Sequence, residues 1–119
     1  MKNENHLQDV VAKMRTPAVF HILLALADGD KHGYAIMQDV ANTTEGALNL
    51  GPGTLYGAIK RMLAVRIIEE SDKRPDPALD DERRRYYRLT PEGRYVLKTQ
   101  VHRLGQLIEV ARSRGLAMS

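Results

Sequence analysis

The sequence predicts a mostly helical α+β fold: one domain of three short helices, a β-hairpin and a long final helix. Three observations lead there. Apolar residues recur at helical spacing as far as about residue 65, the pattern then changes to two β-rich segments, and a Thr-Pro-Glu start restores a helical period to about Arg114. A length of 119 residues, with 43% apolar and 28% charged residues, suits a single globular domain with one core.

The elements follow in order. Leu7, Val10, Val11 and Met14 fall at i, i+3, i+4 and i+7, the apolar stripe of a leading helix over residues 1–15. Thr16-Pro17 reads as an N-cap followed by proline at the first helical position, where its missing N–H costs nothing. Val19 to Ala27 is then apolar nearly all round, as a central buried helix would be, and Asp28-Gly29-Asp30 stops it. His32-Gly33 sits in the turn before a second helix whose apolar face is Ile36, Met37, Val40 and Ala41. Pro52 opens a third helix, with Leu55, Ile59, Met62 and Leu63 on one side. Ile67–Glu70 and Arg85–Leu89 read as the strands of a hairpin with a long tip over Ser71–Glu82, and at least one of Tyr86 and Tyr87 belongs to the core. Thr90-Pro91-Glu92 repeats the helix-start signature, and Leu97, Val101, Leu104, Ile108 and Ala111 recur at 4, 3, 4, 3, the spacing of a coiled-coil seam. Fewer than three heptads are present, so this seam alone would not hold two chains together. The organisation is thus a single domain over 1–119: a leading helix to residue 15, a core over 16–89 and a final helix over 90–119.

Composition narrows the function classes. No apolar run approaches the roughly 20 residues that cross a bilayer, and the first residues lack the apolar stretch of a secretory signal, so a cytoplasmic protein with no membrane partner is expected. There is no cysteine, which removes disulfides, thiolate zinc sites and thiol nucleophiles. His6, His21, His32 and His102 have no paired spacing, so no metal or cofactor is expected, and His21 is expected to pack or to hydrogen-bond. Gly51–Gly57 is rich in glycine but lacks the preceding strand and the Gly-Lys-Ser/Thr of a phosphate loop. With no nucleophile and base at a recognisable spacing, an enzyme is not expected.

Charge is more informative by position than in sum. The net charge is +3, with 6 basic and 6 acidic residues over 1–65, 8 and 8 over 66–94, and 4 and 1 over 95–119. Within the balanced stretches, 51–66 and 83–88 are purely basic. The side of the third helix opposite its apolar face carries Gly53, Tyr56, Gly57, Lys60, Arg61 and Ala64, with no acid. Glycine costs a solvated helix about 1 kcal/mol relative to alanine, so two on an outer face ask for a reason, and close approach of another backbone is one.

Three short helices and a hairpin make a winged helix-turn-helix, in which the third helix enters the major groove and the hairpin lies over adjacent backbone. Tyr56, Lys60 and Arg61 would then donate to phosphates or base edges, Gly53 and Gly57 would let the helix come near, and Thr54 would bond backbone groups or a phosphate. An ordinary solvated amphipathic helix is the bland alternative, but such faces mix acids among the bases. Arg83, Arg84 and Arg85 stand beside Asp80, Asp81 and Glu82, so phosphate binding and mutual neutralisation across the hairpin are both open. A ligand-binding or protein-interaction module on the same fold is the rival from another class. Acids or bulky apolar groups on the third helix would favour it.

Ala25–Val40 (ALADGDKHGYAIMQDV), Leu50–Ile68 (LGPGTLYGAIKRMLAVRII) and Arg83–Leu97 (RRRYYRLTPEGRYVL) together resemble the PadR family of bacterial transcriptional regulators, over about residues 16–100. The resemblance implies a homodimeric winged-helix repressor bound to double-stranded DNA, in the short subgroup with one C-terminal helix. It places His32, Gly33 and Tyr34 near phosphate at the start of the second helix. Pro52, Gly53, Thr54, Tyr56 and Lys60 become the reading head, and Arg83, Arg84 and Arg85 the wing contact. Dimerisation falls to the last helix, through Leu97, Val101, Leu104, Ile108 and Ala111, packed with the partner's first helix and its Leu7, Val10, Val11 and Met14.

Some short relatives of this kind bind planar drugs in a dimer pore by stacking on tryptophan. This chain has no tryptophan, so a small hydrophobic effector would meet Val101, Leu104 and Ile108 instead. Gly57 stands where proline is frequent in the family. Where the family has glycine after the reading helix, this chain has Arg66, and the strain of a left-handed non-glycine residue predicts a different turn there.

Overall fold

Both Thr-Pro signatures start helices as their chemistry requires. The Thr16 hydroxyl accepts the Val19 N–H at 3.2 Å and the Thr90 hydroxyl accepts that of Gly93 at 3.0 Å, each satisfying a donor the helix cannot. The computed structural model describes residues 9–12, 14–72 and 85–116. After a helical stretch at 9–12, the order is α1 (Pro17–Ala25), β1 (Lys31–His32), α2 (Gly33–Thr43), α3 (Pro52–Ala64), β2 (Ile68–Ser71), β3 (Tyr86–Leu89) and α4 (Pro91–Ser113). The three core helices, the final helix and both hairpin strands are present; most of the expected leading helix and the hairpin tip lie outside the described residues.

Helix α1 runs through the middle, with Val19, Ile22, Leu23 and Ala25 buried, and packs against α2, α3 and α4. Ile36 and Val40 from α2, Leu55, Ile59 and Met62 from α3, and Val96 and Leu97 from α4 complete one apolar core. Val10, Val11 and Met14 belong to it as well, at 4, 6 and 8% exposure. The stripe expected to meet a partner's last helix is therefore occupied within its own chain, as is Leu97. Leu7 lies outside the described residues.

The sheet is antiparallel in the order β1-β3-β2. Tyr87 pairs with Lys31 and Glu70, and Tyr86 with His32 and Ser71. The β1 strand is an addition to the sequence reading, which placed His32 in a turn. Tyr87 is the buried member of the tyrosine pair and Tyr86 is half-buried.

The turn after α3 overrules the expectation drawn from Arg66. It is the turn that glycine would make: Arg66 has φ 63°, its N–H donates to the Leu63 carbonyl, and the Ile67 N–H donates to that of Met62, both at 3.1 Å. Two further bonds hold it, since the Thr90 hydroxyl donates to the Arg66 carbonyl at 2.7 Å and the Thr90 N–H to that of Ile67 at 3.2 Å. A fixed turn imposes the left-handed conformation, and arginine tolerates it at roughly 1–2 kcal/mol. The same junction explains Gly93, because a Cβ there would collide with the Ile67 carbonyl oxygen.

Candidate nucleic-acid interface

The third helix divides as its pattern requires. Leu55, Ala58, Ile59 and Met62 are buried, while Pro52, Gly53, Thr54, Tyr56, Lys60, Arg61 and Ala64 are exposed. Neither Lys60 nor Arg61 is paired with an acid among the described residues, so both cations are available to an anion. Gly51 is the N-cap and supplies no side-chain bond to the first N–H groups of α3. The face is positive, low in profile and open.

Tyr56 is less free than its neighbours. It is 37% exposed, and its ring lies against Gly33 at the start of α2. Tyr87 of β3 also feels it: burial first, then Glu70 and Tyr56, push the Tyr87 hydroxyl above its ordinary value. The phenol thus joins α3 to the β1–α2 junction.

That junction is built by His32. Its Nδ1 accepts the Ala35 N–H at 3.1 Å, making the imidazole the N-cap of α2. The ring meets Tyr86 edge-on at 5.3 Å and stacks beside Tyr34 at 6.5 Å. Tyr34 is 60% exposed, and its hydroxyl can reach outward while His32 serves the helix start. Lys31 is held by the Ala25 carbonyl and the Asp28 carboxylate, each at 2.5 Å, and its hydrogen bond and charge hold that carboxyl below its ordinary value. The Ser71 hydroxyl donates to Asp30, tying the approach to β1 onto β2. His21 contacts Phe20 edge-on at 5.3 Å, and its Nδ1 is buried with no hydrogen-bond partner. Among the described residues no cluster of acids and histidines is placed to hold a metal ion.

On the wing, Arg85 pairs with Glu70 at 3.2 Å and Arg88 with Glu69 at 2.9 Å, across β2 and β3. These side chains are about half exposed, so solvent screens both pairs and each adds little to stability. Arg85 is thus paired with Glu70 of β2, while Arg83, Arg84 and the acids Asp80, Asp81 and Glu82 lie outside the described residues. On α4, Val101, Leu104 and Ile108 are 46, 45 and 55% exposed and Ala111 is half-buried. Leu107 and Val110, absent from the 4, 3 spacing, are exposed too, and Leu107 widens the stripe. Among the described residues no helix is long and apolar enough to cross a membrane.

The sequence matches the transcriptional regulator PadR-like family over residues 22–99. It is 38% identical, over 79% of its length, to an uncharacterized 37.1 kDa protein in transposon TN4556 of Streptomyces fradiae, of which it spans only 25%. The fold is similar to a PadR family transcription regulator of Clostridium difficile, with TM-score 0.61, 29% identity, and coverage of 79% of this chain and 95% of that one. It is also similar to BpsR of Bordetella bronchiseptica, whose DNA binding is regulated by 6-hydroxynicotinic acid, with TM-score 0.62, 26% identity, and coverage of 90% and 78%.

Proposed function

Because this chain belongs to the PadR-like family of transcriptional regulators, we propose that it is a homodimeric repressor whose two copies of α3 read a palindromic operator, with half-sites about one helical turn apart on one DNA face. The outward face of α3 carries the reading: exposed Thr54, Tyr56, Lys60 and Arg61 with no acid beside them, and Pro52 and Gly53 keeping the helix start low. Lys60 and Arg61 supply charge to phosphates and donors to base edges. Tyr34 and the first turn of α2 approach the backbone, and Arg83, Arg84 and Arg85 give the wing its contact. The protein acts in the cytoplasm and catalyses no reaction.

Dimerisation falls to Val101, Leu104, Ile108 and Ala111, with Leu107 beside them. Val101, Leu104, Leu107 and Ile108 form an apolar row that the protomer leaves in water, with Ala111 half-buried at its end. A small hydrophobic effector between two such rows would release the operator by changing the distance between the reading helices. Regulation of BpsR by 6-hydroxynicotinic acid supports an effector of that size.

The test is retention of fragmented DNA from the source organism at physiological salt, beside a Tyr56→Ala, Lys60→Ala variant. Enrichment of one palindromic site, lost in the variant, supports the repressor. Absence of any retained site overturns it in favour of a protein-interaction or ligand-binding module.

A further inference from the structure

We propose that Gly33 is a positioning residue for Tyr56: by lacking a side chain it leaves a notch at the start of α2 that seats the phenol and fixes how α3 presents its outer face. The inference rests on the DNA-reading role of α3. Space, and not backbone freedom, demands glycine here. Gly33 is buried and does not have the positive φ that distinguishes Gly29, Gly46 and Gly115. A Cβ on it would stand 2.9 Å from Cζ and 3.1 Å from Cε1 of Tyr56, and nearer still to the hydroxyl. By contrast, Gly53, on α3 itself, has nothing within 4 Å of the same construction.

The notch has firm walls. His32 caps α2 through Ala35 and is paired in register with Tyr86, so the start of α2 is fixed from both the helix and the sheet. Against that support a methyl at position 33 cannot push α2 away, and the phenol is what must move. Helix α3 otherwise seats through Leu55, Ile59 and Met62, all buried in the core. The fold therefore survives the change while the reading face is altered. Gly33 need not touch DNA for this, since its effect passes through Tyr56.

The experiment is a double-mutant cycle on the full chain with Gly33→Ala, Tyr56→Ala and the pair. Binding to a fluorescein-labelled mixed-sequence duplex is measured at low salt, beside ring NMR of the tyrosine-labelled protein with Tyr56 assigned by Tyr56→Phe. Gly33→Ala is expected to weaken DNA binding about tenfold in the parent and less than about twofold in the Tyr56→Ala background. It is also expected to shift the Tyr56 ring resonances. Equal losses in both backgrounds, or an unmoved Tyr56 resonance, overturn the proposal.

Should Gly33→Ala fail to fold, recovery of the fold in the double variant supports the notch, and failure of both overturns it. A parent that binds no duplex refutes the DNA reading, while the Tyr56 resonance still decides the notch.

Discussion

Over residues 91–100, α4 presses Gly93, Val96, Leu97 and Gln100 into its own protomer, whereas every residue from 101 to 110 is exposed. At 100° per residue, however, Leu104, Ile108 and Ala111 continue the side of the helix on which Leu97 is buried. The first half finds partners within the chain. The Thr90 hydroxyl links its start to the end of α3, and the Gln100 amide donates to the Met14 carbonyl at 3.3 Å. The second half, about 20 Å long at 1.5 Å per residue, has left the domain with its apolar row intact. One periodicity thus runs through a docked half and an exposed half. Hydrophobic spacing says which face will be buried and is silent about whose atoms bury it.

Charging the free row should separate the two halves of α4 most strongly. Leu104→Glu with Ile108→Glu is expected to weaken self-association at least about a hundredfold, ~2.7 kcal/mol, by sedimentation equilibrium, while the helical circular dichroism and the melting of the protomer stay close to the parent. If the variant self-associates as the parent does, the row is not the dimer surface.

Two glycines in the same helix sharpen the contrast, because one substitution should act with opposite signs. Gly93→Ala drives a methyl into the Ile67 carbonyl and is expected to destabilise by about 2 kcal/mol in denaturant unfolding. Gly105→Ala meets nothing within 4 Å and is expected to stabilise the protomer by roughly 0.5–1 kcal/mol through helix propensity. Equal effects of the two would contradict the division of α4 into a docked and a free half.

Much of this was legible in the sequence because it depends on neighbouring residues. Thr16-Pro17 and Thr90-Pro91 start helices through bonds spanning three residues, and the split of α3 into an apolar and a basic face follows from spacing alone. What escaped depends on contacts distant in the chain. Strand β1 is two residues with no periodicity, and it exists because β3 offers Tyr86 and Tyr87 as partners. Val10, Val11 and Met14 form a regular stripe, but whether it faces a partner or its own core is settled by where α4 lies, and Gln100 meets Met14 across 86 positions. The glycine at 93 and the notch at 33 are likewise answers to atoms elsewhere, the Ile67 carbonyl and the Tyr56 ring. Local rules also misjudged Arg66, where four tertiary and helix-ending bonds outweigh the strain of one residue.

That residue sits where α3 hands over to the docked half of α4, and it gives the next smaller effect. Arg66→Gly keeps all the backbone bonds of the turn, relieves the left-handed strain and restores some unfolded-state entropy, for a net gain of about 0.5 kcal/mol in chemical denaturation. A loss of stability would show that the arginine side chain holds something the turn does not.

The smallest effect is confined to alkaline solution and probes the core beneath Tyr56. Tyr87 holds its proton in the folded chain above its ordinary value of 10.0, first through burial and then through Glu70 and Tyr56. The unfolded chain therefore loses this proton first as pH rises. Stability contributed by the neutral hydroxyl is complete below pH 10.0 and declines as pH passes that value towards the folded one. Tyr87→Phe removes the titrating group, so the variant should lose less melting temperature than the parent between neutral and strongly alkaline pH. Parallel melting curves across that range would mean that the Tyr87 hydroxyl is no more sheltered in the fold than in the unfolded chain.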